Sequence, residues 1–261
     1  MKNHRLLLLL ILPLLSSCSR HFYAPGLFNN DITYQPKPAS FDTVKHAGYV
    51  SLGFGANEGV SSSSSVSFGE VNLSHAHVFN NVNLAYGAFG FIGAIDNSNY
   101  DNEKASDPVS FKSKEFGGYG GRLSINMFKV MGQTNFRYLG FEAAYSREFG
   151  DFAQFRRDVH NLPNYNTTTR TEMVTIGCTS EILWQAPGNP KNQFAFRLFI
   201  GKTLGDYSYL KNNSSDIFSN NNEVYVAGSF FAKLNRFYGT AELTRNIQPV
   251  TGFRMNIGYK F

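Results

Sequence analysis

The chain ends in Phe253-Arg254-Met255-Asn256-Ile257-Gly258-Tyr259-Lys260-Phe261, with every bulky apolar side chain at an odd position and every polar or small one at an even position. Successive side chains of an extended strand point to opposite faces, so strict period two describes one strand with an oily face and a wet face. A strand at the end of a chain either pairs on both sides or stays an exposed edge that invites aggregation. Closing the sheet into a barrel removes the edge.

The same alternation recurs upstream. Candidate strands cover 47–56, 66–79, 82–95, 114–129, 136–149, 170–185, 194–207, 223–234, 237–246 and 250–261. The connections at Phe79-Asn80-Asn81, 130–135, 186–193 and 235–236 are short, whereas 57–65, 96–113, 150–169 and 208–222 are long and rich in Ser, Asn and Asp. Alternating long and short connections mark outer-membrane barrels, whose long loops face outward and whose tight turns face the periplasm. The expected fold is all-β: an antiparallel, transmembrane, up-and-down β-barrel of ten strands, or eight if 223–246 contributes none. An even count puts both barrel termini on the periplasmic side. The second strand reads least cleanly, because its alternation slips near Gly69, where a bulge is expected.

Sidedness follows from charge. In the fourth strand Tyr119, Leu123, Ile125 and Met127 oppose Arg122, Ser124 and Asn126; in the seventh, Phe194, Phe196, Leu198 and Ile200 oppose Ala195, Arg197 and Gly201. An Arg at the bilayer midplane costs about 2–4 kcal/mol, so the apolar set faces lipid and the charges face the lumen. The same choice sends Glu142, Glu181, Lys233, Glu242, Arg254 and Lys260 inward. A barrel this narrow encloses little beyond its own side chains, so these residues are expected to fill the lumen as a polar network. A narrow conduit or small ligand cavity is the alternative. Inward glycines such as Gly53, Gly118 and Gly201 either make room for large neighbours or relieve curvature. Tyr49, Tyr138, Tyr145, Trp184 and Phe237 near strand ends are expected in aromatic girdles, and Cys178 among lipid-facing residues.

The N-terminus reads as a targeting segment. Lys2 and Arg5 precede an apolar run over residues 6–15, too short for a spanning helix, and the run closes on Leu15-Ser16-Ser17-Cys18. That ending resembles a bacterial lipobox, which implies that residues 1–17 are a cleaved signal and that Cys18 carries a diacylglycerol. Subtracting Lys2 and Arg5 from the formal charge of +5 leaves 5 − 2 = +3, a mild excess that gives no nucleic-acid-binding patch. With Cys18 acylated, Cys178 is alone and no intramolecular disulfide forms. The 25 Phe, 14 Tyr and 24 Gly suit a chain stabilised by a sheet, and no helical periodicity appears beyond the signal. Residues 18–45 carry Pro25, Pro36 and Pro38 without periodicity and read as an extended periplasmic tether, with 46–261 as the barrel.

Motifs for chemistry are sparse. His75 and His77 share one strand face at a chelating spacing, but without a third ligand nearby they are read as headgroup-level residues and no metal is expected. His160 and Ser146 lack the spacing of a nucleophilic triad, and Gly117-Gly118-Tyr119-Gly120-Gly121 reads as a curved strand. No catalytic residue and no cofactor beyond the covalent lipid are expected.

The lipobox ending in Cys18, the Tyr23-Ala24-Pro25 step, the Ser-Leu-Gly-Phe-Gly stretch at 51–55 and the Gly-Tyr-Lys-Phe ending together resemble small outer-membrane β-barrel lipoproteins of Bacteroidota. The resemblance implies an outer-membrane location, a lipid anchor at Cys18 and a C-terminal signal, Tyr259 and Phe261, read by the barrel-insertion machinery. Asp42-Thr43-Val44 is similar to the short O-glycosylation motif of that phylum, which marks Thr43. Ser19-Arg20-His21 lacks the acidic residues that follow the Cys of surface-exported lipoproteins, so the lipid is expected in the inner leaflet. The functional expectation is a non-enzymatic structural or accessory subunit that meets other outer-membrane proteins through its loops or wall. The alternatives are a narrow channel or transporter for small solutes and a soluble, lipocalin-like ligand-binding lipoprotein.

Overall fold

The computed structural model describes residues 21–59, 64–105, 107, 109–205, 224–246 and 251–261. The signal segment, Cys18 and the expected loop at 208–222 lie outside the described residues.

Ten antiparallel strands close into a barrel: β2 (His46–Glu58), β3 (Ser64–Val78), β4 (Val82–Asn97), β5 (Ser113–Met131), β6 (Thr134–Phe149), β8 (Glu172–Ala186), β9 (Asn189–Leu204), β10 (Val224–Leu234), β11 (Phe237–Asn246) and β12 (Thr251–Lys260). Each pairs with its neighbour in the chain, and the last pairs with the first, Met255 opposite Phe54 and Ile257 opposite Leu52. The count is ten and not eight, because β10 and β11 pair with each other and with β9 and β12. Several tight turns use the left-handed region: Gly132 at φ 59°, Gly188 at φ 76° and Asn235 at φ 59°. The opposite end carries a short helix α1 (Tyr100–Glu103), a longer helix α2 (Asp151–Val159) and a short strand β7 (Tyr165–Thr167).

Sidedness is as charge requires. Leu52 is 69% exposed and Ile257 73%, with Leu198, Ile200, Phe141 and Met255 on the same outward surface, while Arg197 and Arg254 are fully buried inside. This arrangement excludes the lipocalin-like alternative, whose charges would lie outside. One girdle assignment is wrong: Tyr49 is buried in the lumen, edge-on to Tyr238 at 5.8 Å, because inward and outward positions alternate from Ala47 and leave Val50, not Tyr49, outside. Tyr138, Tyr145 and Phe237 are exposed, Trp184 is half-buried against Phe194, and Cys178 is exposed.

The irregularity expected near Gly69 lies elsewhere. β3 keeps unbroken register with both neighbours, and its even positions Val66, Phe68 and Glu70 all face inward. Its pattern seemed to slip because the interior changes from apolar at the loop end to charged below. A bulge lies instead in β6, where the register shifts against β8 between Arg137 and Gly140 and against β5 between Phe136 and Leu139. Tyr138 and Leu139 are both exposed there, so Arg137 and Glu142 face inward despite opposite parity.

The largest departure concerns the tether. Residues 21–39 are buried almost without interruption, and they run inside the barrel instead of below it. The segment starts among the long loops, where β1 (His21–Tyr23) pairs in parallel with β7. Backbone bonds from Phe28 to the Pro25 carbonyl (2.9 Å) and from Asn30 to that of Leu27 (2.8 Å) form a turn. The chain then descends to the tight-turn end and enters β2. His46 and the C-terminus therefore share one end of the barrel, and His21 sits at the other.

Candidate functional site

Among the described residues, chemistry-bearing side chains converge in the lumen, which has three layers. At the loop end, Tyr23, Leu27 and Phe28 of the segment pack against Val66, Phe68, Phe89, Phe91 and Phe116 of the wall. Phe111, Phe152 and Phe155 from the loops cover them, with Phe111 and Phe155 edge-on at 4.7 Å. Arg156 pins α2 over this core: its guanidinium donates to the Thr168 and Arg170 carbonyls at 2.7 and 2.9 Å and to Glu148 at 2.5 Å. Glu148 also accepts from the Gly26 amide. His21 and Tyr165 stack at 5.1 Å and share Asp107. Burial and the hydrogen bond to Asp107 push the Tyr165 phenol up.

In the middle layer, guanidiniums of the wall hold the backbone of the segment. Arg122 Nε donates to the Asp31 carbonyl at 2.6 Å, and Arg254 donates to the Asn30 carbonyl and, at 2.9 Å, to Asn30 Oδ1. Both also face Glu70, at 3.2 and 3.6 Å. Arg197 bridges Glu142 at 2.6 Å and Glu242 at 2.7 Å, and it reaches the Thr33 carbonyl at 3.5 Å. A proline-containing segment outside any sheet must find partners for its carbonyls when buried, and charge-assisted donors are the strong ones.

Toward the tight-turn end, Arg137 meets Glu181 at 2.5 Å and the carbonyls of Lys37 and Pro38 at 3.4 and 3.3 Å. Tyr34 Oη donates to the same Glu181 at 2.6 Å, and Lys37 Nζ to Ser124 at 3.1 Å. Asp42 closes the layer, lying 3.9 Å from Lys233 and 3.6 Å from Lys260 and accepting from Gln193 at 2.6 Å. Cavities left beside the segment measure about 30 and 20 Å³, roughly one water each.

The structure thus gathers Arg122, Glu142, Glu181, Arg197, Lys233, Glu242, Arg254 and Lys260 in the lumen, and adds residues the sequence reading missed. Glu70, Arg137 and Glu148 come from the wall, Arg156 from α2, and Asp31, Lys37 and Asp42 from the segment. A Cβ on Gly118 would overlap the Phe91 ring and one on Gly201 the Phe199 ring, so these glycines make room for aromatic neighbours. Phe261 pairs its backbone with Gly48 and leaves its ring largely exposed, while Tyr259 packs on Phe237 at 5.3 Å. Thr43 is exposed at the tight-turn end.

His75 and His77 do have a third imidazole nearby: His46, in register with His77, lies 6.3 Å from each of the two rings. Among the described residues no His, Cys, Asp or Glu group is placed to hold a metal ion. Ser146 points into the lumen and His160 bonds the Thr167 carbonyl at 2.8 Å, so no hydrogen bond unites them.

Closed on itself, apolar outside and charged within, the protein is a transmembrane β-barrel of the outer-membrane type. No family model matches the chain, and no curated protein matches it. Among solved structures it is similar to an outer-membrane channel from Pseudomonas putida F1, at TM-score 0.41 and 10% identity, over 87% of this chain and 100% of that one. It is also similar to the β domain of the Bordetella autotransporter BrkA, at 0.45 and 9%, over 84% and 100%. The NanC porin gives 0.35 and 10%, over 81% and 100%. Likeness at this level carries no argument about role.

Proposed function

We propose that the protein is a non-conducting outer-membrane lipoprotein, anchored by an acyl group at Cys18, whose barrel is stoppered by its own N-terminal segment. It serves as a structural or accessory subunit of a larger outer-membrane complex, and it meets partners through its loops and wall. The long loops face the exterior and the tight turns the periplasm, as in other barrels of this class. Phe261 and Tyr259 are the side chains offered to the insertion machinery, and Thr43 the candidate for O-glycosylation, as in the Bacteroidota proteins the chain resembles.

The observation that carries this reading is the buried run 21–39, gripped by Arg122, Arg137, Arg197 and Arg254, with two gaps of about one water each beside it. Four guanidiniums committed to one segment suit a permanent occupant. Planar-bilayer recording tests it. The whole protein should give a silent membrane, and a variant lacking residues 24–40 should give open channels. Reproducible conductance from the whole protein would instead support the small-solute channel.

A further inference from the structure

We infer that an acyl group on Cys18 lies in the membrane leaflet on the loop side, delivered there through the lumen, so that anchor and C-terminus occupy opposite faces of the membrane. The inference rests on the proposed lipidation of Cys18 and the proposed loop-outward orientation. The carrying observation is the direction of the segment. His21 is fixed at the loop end by the hydrogen bond its backbone N–H donates to the Asn164 carbonyl (2.9 Å), by the pairing of β1 with β7, and by stacking on Tyr165. Asp42 is fixed at the opposite end by Lys233, Lys260 and Gln193.

Distance then decides the leaflet. From Cys18 to His21 the chain advances three residues, which span at most about 11 Å when fully extended. The apolar band of an outer-membrane barrel is about 25 Å tall. A lipid tied to Cys18 cannot cross back to the turn-side leaflet, and the lumen is already filled. The loop-side leaflet, beside the barrel rim, is the only hydrocarbon in reach. This reverses the inner-leaflet expectation drawn from Ser19-Arg20-His21, because a signal for export to the surface has no work to do when the barrel itself provides the passage. The proposal also gives the Arg grips on Asn30, Asp31 and Thr33 a second consequence: they keep an anchored chain from being drawn through the wall.

The test uses cells that export the full chain with its signal, in a Cys178→Ala background. Single variants Arg20→Cys, Asn161→Cys at the loop end and Asn80→Cys at a tight turn are exposed to a membrane-impermeant maleimide before and after outer-membrane permeabilisation. Arg20→Cys should label on intact cells as Asn161→Cys does, while Asn80→Cys labels only after permeabilisation. Arg20→Cys behaving like Asn80→Cys would overturn the proposal. Should Arg20→Cys resist the reagent in both states, the pair Asn30→Cys and Asn57→Cys decides. The native side chains meet at 2.6 Å near the loop end, so cross-linking of the pair by a short bis-methanethiosulfonate supports threading in this direction and its absence overturns it. Radiolabelled palmitate, with Cys18→Ala as control, separates the premises. No incorporation removes the anchor while leaving the threaded segment in place, and exchanged behaviour of Asn161→Cys and Asn80→Cys removes the orientation.

Discussion

The wall and the segment it surrounds obey different rules although they belong to one chain. Wall strands satisfy their backbone groups in a continuous ladder, and their side chains divide cleanly between lipid and lumen. The segment has a ladder only at β1, and beyond it a local turn and wall side chains serve its carbonyls. A wall is therefore stable through repetition, whereas its contents are stable through particular pairs. Single substitutions should be felt most where contents meet wall.

Removing residues 24–40 is the most severe challenge, because it strips partners from Arg122, Arg137, Arg197 and Arg254 together. Heat-modifiable electrophoresis should show a much lower folding yield and an earlier loss of the folded band. An unchanged melting profile would make the segment a passenger. Next comes Glu181→Ala, which abandons Arg137 and Tyr34 in a closed interior and should cost about 3–5 kcal/mol in urea titrations in lipid. Leu27→Ala, a cavity in the aromatic layer, should cost about 2–5 kcal/mol. Tyr34→Phe removes one donor from the segment and should cost about 1.5–3 kcal/mol, with strong coupling to Glu181→Gln in a double-mutant cycle. On the lipid side, Cys178→Ala should stay within about 0.5 kcal/mol of the parent protein. A large effect there, matched by a small one at Tyr34, would invert the comparison.

The same contrast explains what could be read from the sequence. Period two placed the wall strands and their two faces, because each wall residue has hydrocarbon on one side and lumen on the other. It failed where that relation breaks. The β6 bulge hid Arg137 by shifting parity between it and Glu142, and the apolar upper lumen made Val66 and Phe68 look like a slipped phase, which hid Glu70. The segment carries no period because a chain inside a tube touches wall on every side. Two signals for it were nonetheless present. Leu27, Phe28, Ile32 and Tyr34 are too apolar for a tether in water, and Arg122, Arg197, Lys233, Arg254 and Lys260 outnumber Glu142, Glu181 and Glu242. An interior with surplus cations implies further acceptors, and the segment provides them as backbone carbonyls and the Asp42 carboxylate.

Arg254, which clasps Asn30 and faces Glu70, stands on β12, the strand that seals the cylinder against β2. The seam and the clasp thus arrive together in biogenesis. A leader gripped by strands all round the ring is enclosed most simply if the nascent sheet curls around it as around a mandrel, with the final hairpin locking both at once.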